Sequence, residues 1–251
     1  MEIERKKFQG VLNILSFNRH FYVIGLIVLF LIITICWYFN FSKSLIWVVV
    51  SGFIYGLLMP LIVSAYVYDF SGYYNFEWLN LFEISDSKDN VFVNINAGFD
   101  ETSFILKDKF PKSDLKVFDF YNSEKHTELA IIRARKVSLV YPNTQEIKYN
   151  SIPLEANSVD VVFLLSAVHE IRKNNEKVEF LSECRRICKS NGRVIMVEHL
   201  RSVSNFFAFS VGFTHFFSKK TWLNIFGKAG FLKTKERKFT PFMSIFNSLN
   251  N

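Results

Sequence analysis

Residues 91–106, VFVNINAGFDETSFIL, decide how the chain is read. VFVNI has the β-branched and aromatic composition of a strand, Gly98 stands where a tight turn needs it, and TSFIL opens a helical pattern. Strand, glycine turn and helix in that order form the layout of a nucleotide-binding loop. Such loops often hold three glycines; this one keeps only Gly98.

Downstream, strands and helices alternate. LKVFDFY (115–121) reads as a second strand, HTELAIIRARKVSL (126–139) as a helix and QEIKY (145–149) as a short strand. VDVVFLLS (159–166) is apolar almost throughout, which suits a parallel strand buried on both faces. NNEKVEFLSECRRICK (174–189) is helical, SNGR with Gly192 reads as the turn that ends it, and RVIMVEHL (193–200) is another strand. The pattern predicts an α/β fold with an open, doubly wound, mostly parallel sheet. In such sheets ligands bind beyond the carboxyl ends of the strands. Asp119, at the end of the second strand, lies 21 residues after Gly98, the spacing at which an acidic residue grips a ribose hydroxyl. Other nucleotide-like ligands would satisfy the same spacing.

The succession VFVNINAGFDE, FDF, NSIPLEANSVDVVFLLSAVHE and ECRRICKSNGRVIMVEHL resembles the class I S-adenosylmethionine-dependent methyltransferases of the small-molecule, type 11 kind. The resemblance runs from about residue 88 to 245 and implies a Rossmann-like domain with S-adenosylmethionine as cofactor. IPLEANSVDVVF fits the block that precedes the family's fourth strand, with Val159 for the usual Phe and Asp160 matching. In the glycine loop Asn94 stands for the family's acid, Asn96 for its first glycine and Asp100 for its third, while Gly98 matches. Asn tolerates left-handed backbone better than most residues, so Asn96 can stand in for glycine. The resemblance thus makes Asn94, Asn96, Gly98, Glu101 and Asp119 the cofactor-binding set. Glu101, Thr102 and Ser103 open the next helix, whose free N–H groups could receive the cofactor's polar end. After the fourth strand, His169 and Glu170 are candidates for a general base or a substrate-orienting pair. Their structural alternative is capping and ion pairing, with Glu170 on Arg172 or Arg201. Glu198, His199 and Arg201 form a second cluster at the end of the next strand. The cysteines, Cys36, Cys184 and Cys188, have no disulfide or metal-ligand spacing, and no metal is expected from the sequence.

Upstream lie two uncharged apolar runs, Phe21 to Phe39 and Leu45 to Tyr68, of 19 and 24 residues. Each is long enough to cross a bilayer, and the five-residue link NFSKS forces a hairpin. Arg5, Lys6, Lys7 and Arg19 precede the hairpin, whereas the link carries only Lys43, so the positive-inside bias puts both chain ends in the cytoplasm. The expected organisation is a cytoplasmic segment (1–20), a transmembrane hairpin (21–39 and 45–68), a linker (69–88) and a methyltransferase-like domain (89–251). Gly52 and Gly56 have the small-xxx-small spacing that lets apolar helices approach.

Towards the C-terminus, NFFAFSVGFTHFFSKKTW (205–222) reads as an apolar lid over an acceptor, as an amphipathic segment on the bilayer, or as core. Residues 219–238 hold seven Lys or Arg against Glu236, a net of +6 in a chain of +7. Basic residues beside aromatics suit an anionic membrane surface, a better partner for a membrane-held chain than nucleic acid. The sequence therefore supports two functions: a membrane-anchored methyltransferase for a hydrophobic or membrane-delivered small molecule, or a non-catalytic, membrane-anchored binding or assembly module of the same fold.

Overall fold

Seven strands form one sheet in the computed structural model, which describes residues 5–250. They are Val91–Asn96 (β1), Asp114–Asp119 (β2), Gln145–Glu146 (β3), Val159–Leu165 (β4), Cys188–His199 (β5), Lys233–Lys238 (β6) and Met243–Leu249 (β7). Their order is β3-β2-β1-β4-β5-β7-β6, with β7 antiparallel to both of its neighbours and the rest parallel. Strand order reverses between β1 and β4, so the crevice for a ligand opens beyond their carboxyl ends. The register sets Asn96 beside Asp119 and Asn94 beside Val117 and Phe163.

The helices are Gln9–Phe17 (α1), Arg19–Tyr38 (α2), Lys43–Ala65 (α3), Ser103–Lys109 (α4), Leu129–Val137 (α5), Asn174–Ile187 (α6), Val203–Phe209 (α7) and Lys219–Lys228 (α8). Side chains alternate across the strands and feed two cores. On one face Val93, Ile95, Val162, Leu164, Val194 and Met196 meet Phe180, Leu181 and Cys184 of α6 and Trp222 and Phe226 of α8. On the other face Phe92, Val161, Phe163, Ile195, Val197 and Ile245 meet Leu106 of α4, Ala208 of α7 and Val63 near the end of α3.

Three expectations change. Residues 69–88 are not a linker: Tyr73, Phe76, Trp78 and Leu79 are buried in that second core, each contributing on the order of 1.5–3 kcal/mol by burial. The turn SNGR lies within β5, where the β4–β5 register shifts between Val159 and Val161. A Cβ on Gly192 would stand 2.8 Å from the Val159 carbonyl, so close backbone approach, not a helix end, requires this glycine. The basic run 233–238 is β6, an edge strand, where charged side chains block pairing with another sheet.

Both α2 and α3 are long and apolar enough to cross a membrane and leave most of their surface exposed. Helix α1 was not legible in the sequence. It lies on the domain because Asp69, in the π-helical turn Tyr66–Phe70, accepts from the N–H groups of Gly10 and Val11 at 2.7 and 3.0 Å. A Cβ on Gly10 would meet Tyr68 Cβ at 2.4 Å, so only glycine allows this approach. Asp69→Ala removes the acceptor for two free N–H groups of the first turn, at a cost of about 1 kcal/mol. Amide exchange across residues 9–17 should then quicken several-fold while β1, β4 and β5 keep their protection; unchanged exchange in α1 would show that its docking does not depend on Asp69.

Candidate active site

The loop after β1 is shaped by side chains where glycines are missing. Gly98 adopts φ +91, and a Cβ there would lie 2.8 Å from the Tyr121 ring. Asn96 Oδ1 accepts from the Gly98 N–H at 3.2 Å and steadies the turn. Asn94 donates to the hydroxyls of Thr102 and Ser103, at 2.9 and 2.8 Å. Asp100, at the third glycine position, accepts the N–H groups of Thr102 and Ser103 at 2.9 and 3.0 Å. The helix-opening N–H groups expected to face a cofactor are therefore held by Asp100. Burial pushes the Asp100 carboxyl up, against the lowering effect of these hydrogen bonds.

Glu101 does not face the crevice as a free ligand. Its carboxylate accepts from Gln9, Asn13 and Tyr74 at 2.8, 3.0 and 2.7 Å and pairs with Arg5 at 2.9 Å. It fastens the N-terminal segment over the loop, and Phe17 packs edge-on against Phe99 beside it.

Asp119 sits where the sequence placed it, buried at the end of β2. Its Oδ1 accepts from the Tyr121 N–H at 2.8 Å and its Oδ2 is 2.6 Å from Arg135 of α5, which also pairs with Glu146 and stacks over Tyr121. A ribose would share this carboxylate with Arg135, a partner that spacing did not reveal.

His169 and Glu170 come together on the 3-10 turn Val168–Glu170 after β4, with His169 Nε2 3.3 Å from Glu170 Oε1. Glu198, wholly buried at the end of β5, accepts the N–H groups of Val168 and His169 and lies 2.7 Å from His169 Nδ1. Burial alone would lower the His169 pKa, but the charge of Glu198 and hydrogen bonds to Glu170 and Glu198 raise it to about 10. The Glu198 carboxylate thus favours the protonated imidazole and holds its Nδ1, giving His169 the ion pairing that is the structural alternative to a base. Glu170 falls to about 2, burial being outweighed by its bond to His169. His215, from the 3-10 turn Ser210–His215 after α7, joins the pair, its ring 5.3 Å from that of His169. Burial and the His169 charge push it down to about 4, so it is neutral.

The crevice suits the ligand that the sequence resemblance implies. S-adenosylmethionine carries a ribose diol and an ammonium group, both hydrogen-bond donors. Around the loop, the Asp119 carboxylate lies at the end of β2, and two buried acceptors, Asn94 Oδ1 and Asp100 Oδ2, have no hydrogen-bond partner among the described residues, a set that suits such donors.

Residues 98–196 match the family model described as a methyltransferase domain. In structure the chain is similar to human N-acetylserotonin methyltransferase, solved with S-adenosylmethionine, at TM-score 0.51 and 12% identity over 78% of this chain and 55% of that one. It is similar to geranyl diphosphate C-methyltransferase from Streptomyces coelicolor A3(2) at TM-score 0.50 and 10% identity, covering 70% and 78% of the two chains. An S-adenosylmethionine-dependent methyltransferase from Aquifex aeolicus aligns at TM-score 0.49 and 17% identity, over 75% and 97%. No curated protein sequence matches the chain. The family model and the strand order agree over the same crevice: residues 98–196 match a methyltransferase domain, and the sheet around them has the Rossmann-like order of S-adenosylmethionine-dependent methyltransferases.

Proposed function

We propose that this chain is an S-adenosylmethionine-dependent methyltransferase, anchored in a membrane by α2 and α3, that acts on a hydrophobic small molecule delivered from that membrane. The observation that carries the proposal is the course of α3. Its first part is apolar and exposed, with Trp47 and Val48 open, while Val63 is buried in the domain's second core. α7 leans on the same helix, with Tyr55 Oη donating to the Phe207 carbonyl at 2.7 Å. Val203, Phe206, Phe207 and Val211 beside it are exposed, and Phe209 and Phe216 pack on His199 at the end of β5. These exposed apolar residues support a route for the acceptor from the candidate span towards the end of β5. An acceptor moving laterally from the bilayer would meet no aqueous step.

The excess of basic residues before α2 supports a cytoplasmic position for the domain. The packing of α1 against the domain supports one side for the N-terminus and the domain. Gly98, Asn96, Asn94 and Asp119 hold the cofactor, which supplies an electrophilic methyl group. Glu101 acts indirectly by closing α1 over the loop. His169 and Glu170 form an orienting pair, a cationic donor beside an anionic acceptor, rather than a base. Transfer from a sulfonium needs chiefly alignment and a dry site.

Two measurements on the full chain in detergent or nanodiscs test this. Asp119→Ala loses a charge-assisted hydrogen bond worth roughly 1.5–3 kcal/mol, so the S-adenosylmethionine dissociation constant should rise about 10- to 100-fold. An unchanged constant would remove Asp119 from the site, and no binding by the wild type would favour the non-catalytic reading. With methyl-labelled cofactor and a membrane extract as acceptor, label should partition into organic solvent. Phe206→Ser with Phe207→Ser should raise the KM for that acceptor several-fold while cofactor affinity holds. Label confined to water-soluble product would refute the hydrophobic acceptor.

A further inference from the structure

His169, Glu170 and His215 offer one ligand atom each, and these atoms lie within 4.8 Å of one another. Tetrahedral coordination with metal–ligand bonds of 2.0–2.2 Å separates ligand atoms by about 3.3–3.5 Å. His169 Nε2 and Glu170 Oε1 already stand 3.3 Å apart. His215 Nε2 is 4.0 Å from the same oxygen, so a modest shift of an exposed turn completes the set.

Two further features are those of a built site. Metal-ligating histidines typically turn their second nitrogen to a carboxylate or carbonyl that fixes the ring. Buried Glu198 does this for His169 at 2.7 Å and is itself held by two backbone N–H groups. Arg172 then clips the two ligand-bearing turns together, its guanidinium donating to the carbonyls of His169 and His215 at 3.0 and 2.8 Å.

We propose that His169 Nε2, Glu170 and His215 Nε2 bind one divalent transition-metal ion of the zinc class at the acceptor end of the crevice, with Glu198 as the outer carboxylate. Two imidazoles and one carboxylate favour Zn²⁺, Mn²⁺, Fe²⁺ or Co²⁺ over Mg²⁺ or Ca²⁺, which prefer all-oxygen shells. Three protein ligands leave a coordination position open. With its ligands on the turn after β4 and the turn after α7, that position is the one an acceptor would occupy. It would take an oxygen donor, a phenol or enol hydroxyl, from the hydrophobic acceptor. This last step rests on the proposed function; metal binding does not.

The test uses untagged full-length protein in detergent, stripped with a chelator and titrated with Co²⁺ alone and, separately, with Zn²⁺. One equivalent should bind at micromolar concentration, with visible absorption of four- or five-coordinate Co²⁺. His215→Ala, a partly exposed position, should weaken binding at least 10-fold, and Glu198→Gln should weaken it 10- to 100-fold without removing a ligand. Cys184→Ser with Cys188→Ser should leave it unchanged. Absence of saturable binding, or binding insensitive to His215→Ala and Glu198→Gln but lost with the cysteines, would overturn the site. Titrating the same stripped protein with S-adenosylmethionine separates the failures: cofactor binding without metal binding refutes this site alone, and metal binding without cofactor binding refutes only the methyl-transfer reading.

Discussion

A sheet buried on both faces needs two covers, and the second cover of this one is assembled from unusual parts. The first face is closed by α6 and α8, as the alternation of strand and helix dictates. On the second face, α4 is a helix of only seven residues, and the remaining area is closed by the end of α3 and the buried aromatics of residues 73–79. A helix that is apolar all round can serve a core at one end and a bilayer at the other, because neither environment requires a polar stripe. Domain and candidate anchor therefore share one element. Their relative position is set by core packing, and the exposed phenylalanines of α7 come to lie beside the apolar helix without any dedicated linker.

The same economy appears in the loop after β1. Glycine-rich loops approach phosphates or sulfonium ligands through bare backbone, whereas here three side chains supply the shape. Asn96 steadies the turn at Gly98, Asp100 caps α4 and Asn94 ties Thr102 and Ser103. Asx side chains imitate backbone hydrogen bonds in this way, so the departures from the glycine pattern are compensated locally. The remaining freedom is taken up by Glu101, whose contacts reach Gln9 and Asn13, more than eighty residues away. Closure of the loop thus depends on α1, and α1 on Asp69.

The sheet, the parallel strands and the position of Asp119 were legible because hydrophobic periodicity and loop spacing are local signals. Gly98 was legible for the same reason. What escaped depends on contacts between distant segments: α1 has no pattern that distinguishes it from the apolar run it precedes, and Arg135 reaches Asp119 only because α5 folds back over β2. Tyr73, Phe76 and Trp78 look like a mixed linker in sequence because irregular buried segments carry no period. The role of Glu101 was misread since its helix-opening position suits a ligand contact, and nothing local reveals four donors converging on it. The charge of β6 was legible as a run but not as an edge.

His169 stands at the end of β4 where the sequence puts it, and Glu198, from the end of β5, sets its surroundings. A carboxylate at 1% exposure requires compensation, because an unpaired buried charge costs several kcal/mol. Two backbone N–H groups provide part of it and the His169 imidazole provides the rest, which favours the protonated ring. Whatever occupies Nε2, a proton or a metal ion, stands 3.3 Å from Glu170 and beside the His215 ring. On the proposed reading, such a site would suit an acceptor that develops negative charge on oxygen better than an amine that must lose a proton to a base. The buried carboxylate therefore fixes the His169 ring at the end of β4, while Asp119 stands at the end of β2 on the other side of β1.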